Sequence, residues 1–322
     1  MAGAGLQHAL DSLPDRSTLI GIELFGSPAE LAAMQDEVRQ IGVAVPVTAV
    51  VSSAPGAGGL QMVAATGVQP EPLVVDGRLC GFHIRESGHC FLGGLVPSDA
   101  AASREDQTRQ VFSTIEAALA QVGMDFRHVA RTWFYNENIL DWYDAFNRVR
   151  TEFYQAQPLK FMPASTGIGA PNPAGAALTV RALAVCPPNP DTAIRAVRSP
   201  LQCDAFSYGS AFSRAVEISD PNSRLLSISG TASIEPGGRT AHTGDIARQI
   251  ALTMDVVQAI LHEAGMRCED AIRVIAYFRD PAHIPAWEAF SRSLALPPAI
   301  LLGCHVCRED LLFEIELDAV RA

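Results

Sequence analysis

The chain repeats itself, and no other feature narrows its fold as much. Residues 82–185 begin with an apolar strand bearing paired glycines over 91–95 and continue into a helix over 107–122 that ends at Gly123-Met124. A strand over 129–135 follows, then a second helix carrying Trp142 and Ala145-Phe146, and residues 177–185 close the unit. Residues 206–320 repeat the order: a strand over 224–233, a helix over 245–264, Gly265-Met266, a strand over 271–278, a helix with Trp287 and Ala289-Phe290, and a closing strand over 313–320. Self-similarity at this scale means a duplicated supersecondary unit. Two helices with several strands in each copy predict an α+β fold: a mixed sheet with both helices packed on one face. A proline-marked stretch over 186–203 joins the copies. The division that follows is a domain over 1–190, with an extra N-terminal segment and the first unit, and a second unit over 191–322.

The extra segment offers a strand over 17–25, a helix from Pro28 to a stop at Gly42, and a loop over 52–59. Gly56, Gly58 and Gly59 are not a phosphate loop, because no lysine followed by serine or threonine completes it. A formal charge of -11 over 322 residues gives nucleic acid and anionic membranes nothing to hold. No apolar run reaches the ~20 residues of a membrane span. Residues 1–14 lack the basic and apolar blocks of a secretory signal, and seven scattered cysteines read as reduced thiols. The expectation is a cytoplasmic protein.

The closing strand of the second copy alternates. Phe313, Ile315, Leu317 and Ala319 share one face; Glu314, Glu316 and Asp318 share the other. Those carboxylates are either a solvated face or the floor of a pocket. In the first copy Thr179 stands in the place of Glu314 and Arg181 in that of Glu316, so only one copy can hold a carboxylate site. Gly230 in Ser229-Gly230-Thr231-Ala232-Ser233 is either a bulge or an opening for a ligand to reach the backbone. Asp245 is a helix cap, and His242 a loop residue. Arg148 and Arg150, two apart on a helix, face different ways, so one can point inward. Tyr208, Ser210, Phe212 and Arg214 alternate onto one face of a presumed strand, a mixture suited to a ring-bearing carboxylate. Cys304-His305 and Cys307 form half a metal site with no second pair to complete it, so no metal is expected.

Together Ser229-Gly230-Thr231-Ala232-Ser233, Gly244-Asp245, Gln249, Ala264-Gly265 and Phe313-Glu314-Ile315-Glu316 resemble the small trimeric imine (reactive-intermediate) deaminase fold, which is chorismate mutase-like. Two such units with an N-terminal extension resemble the chorismatases, as do Tyr135-Asn136-Glu137-Asn138, the segment from Phe161 to Gly169, and Cys307 seven residues before Glu314. The resemblance covers about residues 80–320. One departure counts against deaminase activity: where that family carries a carboxylate-binding arginine after Pro-Ala, Pro298-Ala299 is followed by Ile300.

The resemblance implies cleavage of chorismate to pyruvate and a ring product, with no cofactor. Protonating the enolpyruvyl carbon needs a carboxylic acid that is neutral near pH 7, and Glu314 matches that acid. It implies Cys307 and Gly230 as marks of the hydroxybenzoate-forming type, with 3-hydroxybenzoate favoured and some 4-hydroxybenzoate beside it. Arg214 and Arg150 are the expected partners of the substrate carboxylates, with Arg148 in reserve. Tyr135 and Tyr208 are placed to orient the ring, with Thr231 and Phe212 beside them. The other outcomes are hydrolysis to a dihydroxycyclohexadiene carboxylate, imine deamination, and a non-catalytic binding role. The chain is expected as a monomer or a homotrimer.

Overall fold

The computed structural model describes residues 5–204 and 210–322. The chain opens with α1 (Gly5–Asp11), β1 (Ser17–Gly26), α2 (Pro28–Ile41), β2 (Val47–Val51) and β3 (Gly59–Thr66). Local sequence sets α2. Ser27 and Glu30 form a capping box, Pro28 holds the first turn, and Gly42 stops the helix at φ 74, where a side chain would be strained. The three strands are ordered β2-β1-β3, with β1 parallel to β2 and antiparallel to β3.

The first repeat unit contains β4 (Glu71–Val75), β5 (Arg78–Ile84), β6 (His89–Leu95), α3 (Arg104–Ala120), β7 (Val129–Asn136), α4 (Tyr143–Ala156), β8 (Ala164–Ile168) and β9 (Leu178–Val185). Its sheet runs β4-β5-β6-β9-β7-β8. The second contains β10 (Ala193–Val197), β11 (Ala215–Ser219), β12 (Arg224–Ala232), α5 (Ile246–Glu263), β13 (Ala271–Phe278), α6 (Ile284–Ser291), β14 (Ile300–Gly303) and β15 (Phe313–Arg321). Its sheet, β10-β11-β12-β15-β13-β14, repeats the first strand for strand. The duplication is therefore a duplication of topology. The register agrees: Tyr135 pairs with Thr179 as Tyr277 pairs with Glu314, and Trp133 with Arg181 as Ile275 with Glu316.

Three boundaries differ from expectation. The first unit begins with the hairpin β4–β5, before residue 82, and the stretch over 186–203 is more than a linker, because it carries β10. Residues 210–214 are not a strand. They run irregularly into β11, with Ser213 bridged to Ala164, and alternation was a poor guide there because the pairing begins only at Ala215.

Each sheet buries one face under its helices. Phe112, Phe134, Phe146 and Val180 fill the first core; Ile228, Met254, Phe313 and Ile315 fill the second. The other faces turn inward on one another. Phe25, Tyr135, Tyr277, Val216 and Ile275 form a common apolar cluster drawn from the N-terminal sheet and both units.

The packing around that cluster is cyclic. Edge strand β8 of the first unit lies over β12 of the second, β14 of the second over β3 of the N-terminal sheet, and β2 of the N-terminal sheet over β6 of the first. The N-terminal β1-α2-β2-β3 has the order and strand senses of β7-α4-β8-β9, so it is a half-size third member of the ring. One contact recurs. Thr48 Oγ1 accepts the Gly94 N–H at 2.8 Å, and Thr166 Oγ1 accepts the Gly230 N–H at 3.0 Å. Gly94 and Gly230 occupy the same place in the bulges of β6 and β12.

Candidate active site

A cavity of about 1140 Å³ opens where β8 meets β12. Ser165 and Gly167 line it from the first unit with Tyr143, Asn147 and Arg150 of α4; Ser210, Phe212, Arg214, Gly230, Cys307 and Glu314 line it from the second. Neither unit alone encloses it. At the matching cleft between β2 and β6 only about 20 Å³ remains, lined by Glu23, Thr48, Gly93 and Arg181. The two copies have thus diverged into one open site and one filled one.

The face of β15 that bears Glu314, Glu316 and Asp318 is buried, so these are not solvated carboxylates. Their environments differ. Glu316 accepts from Trp133 Nε1 at 3.0 Å, Arg131 Nη2 at 2.9 Å and the Thr166 hydroxyl, and it pairs with Arg273 at 2.6 Å. Burial pushes its carboxyl up, but Arg273, Arg131 and Thr166 outweigh burial and hold it below the ordinary carboxylate range. Glu314 forms no ion pair among the described residues. Burial, then the neighbouring Glu316 charge, push its carboxyl up to about 8 against the pull of Arg131 and Arg214. Two carboxylates on one strand face therefore take opposite states near neutral pH, one ionised and one an acid.

Gly230 makes room for that acid. A Cβ there would run into Glu314 Oε1 and lie 3.1 Å from its Cδ and 3.2 Å from Thr166 Cγ2. The side chain occupying the gap is the glutamate itself, which folds across the strand. Burial, then Glu314, raise the Cys307 thiol to about 12, with the Tyr143 hydroxyl offsetting part of this. Cys307 is a neutral thiol beside the acid, without the thiolate a nucleophile needs.

The two helical arginines part as their spacing requires. Arg150 is buried and donates to Asn147 Oδ1 at 2.6 Å, with Phe146 and Phe212 under its guanidinium at 5.0 and 5.9 Å. Arg148 sits at the rim, more than half exposed and paired with Glu105 at 3.1 Å. Arg214 is buried and donates to the Cys203 carbonyl oxygen at 3.1 and 2.7 Å.

Tyr135 does not face the cavity. On β7 it shares the inward face with Arg131 and Trp133, and it meets Phe25 edge-on at 6.2 Å within the common cluster. Thr231 does not line the cavity either, because its hydroxyl turns back to the Ser229 carbonyl oxygen at 2.8 Å. Tyr208 lies outside the described residues. Ile300 faces away from the cavity and packs on Gly59; the strand that does border the cavity carries Ser165. Tyr143 and Asn147, which line the cavity, were not among the expected site residues. Both share the helix of Arg150 and were within reach of local sequence. Among the described residues no cluster of three or more metal-ligating side chains occurs, and no helix is long and apolar enough to cross a membrane.

The family model described as Endoribonuclease L-PSP matches residues 83–186 and again 204–321. No curated protein matches the sequence significantly. Among solved structures a chorismatase aligns with a TM-score of 0.74 at 21% identity, over 96% of both chains. Yeast Mmf1 aligns with 40% of this chain and 100% of its own, at 17% identity and a TM-score of 0.35. The YJGF gene product of E. coli aligns with 40% of this chain and 99% of its own, at 21% identity and a TM-score of 0.32.

Proposed function

The chain belongs to the endoribonuclease L-PSP family, matched in both of its units, and from that premise we propose that it works as a chorismatase. The observation that carries the reading is Glu314, a buried carboxylic acid held at about 8 in a cavity that two units build together. Arginines from different units flank it, Arg150 and Arg214. Chorismate brings two carboxylates and an acid-sensitive enol ether, and this site answers both. In this reading Arg150 and Arg214 bind the carboxylates, and the Phe212 face supports the ring. Glu314 gives its proton to the terminal methylene carbon of the enolpyruvyl group, leaving an oxocarbenium ion and a carboxylate.

The cation then has two fates. Attack by the neighbouring ring hydroxyl carries the side chain to that oxygen; pyruvate leaves and the ring loses a proton to become a hydroxybenzoate, with no water consumed. Addition of water instead releases pyruvate and a dihydroxycyclohexadiene carboxylate. Gly230 supports the first fate. With no side chain there, the Glu314 carboxyl lies across the strand, where it serves first as acid and then, ionised, as base for the aromatising proton. We therefore favour 3-hydroxybenzoate. Cys307 and Tyr143 form a neutral polar wall beside that carboxyl.

The test is to incubate the purified protein with chorismate, without added metal or nucleotide, and to quantify pyruvate and ring products by chromatography. Pyruvate with 3-hydroxybenzoate is the expected result. Pyruvate with the diol keeps the enzyme class and overturns the product. Turnover no faster than spontaneous decay overturns the reading.

A further inference from the structure

Behind Glu314 lies a second, largely buried group of charges. Arg131, Arg181 and Arg273 all set their guanidinium groups over the Trp133 ring, at 4.7, 4.3 and 5.4 Å from its centroid. Three carboxylates match them. Glu316 takes Arg131 and Arg273, Asp318 takes Arg273 at 3.3 Å, and Glu23 takes Arg181 at 2.5 Å and Arg273 at 3.6 Å. The first two acids come from β15, but Glu23 comes from β1 of the N-terminal sheet. It is buried, and its pair with Arg181 lacks the geometry of a hydrogen bond, so the contact is one of charge. The three positive charges of this cluster are thus matched by three carboxylates, none of which is Glu314.

Resting on the reading of Glu314 as the acid, we infer that Glu23 is a positioning residue for it. By neutralising Arg181 and Arg273, the N-terminal sheet keeps the interior balanced while Glu314 carries its proton. The chain of contact is short. Glu23 shares Arg273 with Glu316, and Glu316 adjoins Glu314 on the same face of β15. If Glu23 is removed, the interior gains one uncompensated positive charge, which favours ionised Glu314. If Arg181 is removed instead, the imbalance reverses. Other groups near Glu314 include Arg131 from β7, Tyr277 opposite it on β13, Arg214, Cys304 and Cys307; Gln61 and Tyr135 adjoin the Glu23 side. All of them stay in place in both variants. A merely structural role for Glu23 would cost stability and leave the titration of Glu314 unmoved.

The experiment reads Glu314 directly. Its protonated carboxyl stretch is followed by infrared titration and assigned by difference against Glu314→Gln. Glu23→Gln should lower the midpoint by about one pH unit, and Arg181→Met should raise it by a similar amount, the order a buried unit charge exerts at short range. Glu23→Gln combined with Arg181→Met removes a neutral pair and should return the midpoint to the wild-type value. If Glu23→Gln does not fold, the sign of the Arg181→Met shift decides. Folded variants with an unmoved midpoint, or with both shifts in one direction, overturn the inference. Absence of pyruvate from wild-type protein and chorismate, with the opposed shifts present, overturns the substrate and leaves the charge coupling standing.

Discussion

At the scale of a residue, the space left by one missing Cβ sets where the Glu314 carboxyl lies. Glu314 can fold across β12 only because Gly230 has no Cβ. Gly230→Ala should displace the carboxyl, cost about 1–3 kcal/mol as overpacking, and shift product from hydroxybenzoate toward the diol as water gains access. Product ratios and thermal melts check both halves. Glu314→Gln keeps the shape and removes the proton, so pyruvate release should fall about 10³-fold, the mid-range of general acid catalysis, with folding intact by circular dichroism. The sign of the pH dependence follows from the raised value. The native carboxyl holds its proton up to about 8, whereas an ordinary glutamate releases it near 4.5. Between those limits the native state binds the extra proton. The contribution to stability is complete below about 4.5 and lost as pH rises through 8. If Glu314 is the acid proposed above, turnover should fall through the same upper limit, and a pH–rate profile reads that limb. A falling limb near 4.5 instead would leave Glu314 out of the acid role.

At the scale of an element, β15 and α4 show what sequence could and could not reveal. The alternation of β15 separated Phe313, Ile315 and Leu317 from Glu314 and Glu316, and the structure keeps that division. It could not say that the acidic side is buried, because its cover comes from β7 and β8: Arg131 reaches Glu316 from 185 residues away. Nor could it separate Glu314 from Glu316, since the difference lies in partners that adjoin only after folding. Tyr135 was misplaced for a related reason. Period two fixes which residues share a face of β7, not which face the cavity adjoins. On α4 the spacing did separate Arg148 from Arg150, since residues two apart on a helix diverge, and burial then put Arg150 inside. Tyr143, Asn147 and Arg150 of α4, with Ser165 and Gly167 of β8, belong to the first unit's contribution to the site. Arg150→Met should therefore raise KM for chorismate by about 10- to 100-fold, the range of one lost charge-assisted hydrogen bond, with a smaller effect on kcat. Steady-state kinetics would separate this from a folding defect, which lowers active enzyme without moving KM.

At the scale of the molecule, the open question was whether two fused units still associate with other chains. A sheet whose inner face is apolar and charged must be covered, and a two-unit chain would leave one gap in a three-membered ring. The N-terminal sheet occupies that gap. Val51 N–H donates to the Pro171 carbonyl oxygen and Ser53 N–H to that of Gly303, so β2 and the loop after it tie to both units. Gln61 and Glu23 reach Arg273, and Phe25 joins Tyr135 in the common cluster. With the ring closed inside one chain, the inner faces of all three sheets are covered among the described residues. The protein should sediment with the mass of a single chain at concentrations well above those used for assay, and its turnover per chain should not change on dilution. A trimeric mass would mean that the ring closed by the N-terminal sheet is not the assembly that matters. A site between subunits would then lose activity per chain as dilution drives dissociation. The three contacts of the ring are not equivalent: Glu23 and Arg181 fill the one between β2 and β6, whereas the one between β8 and β12 keeps a cavity of about 1140 Å³.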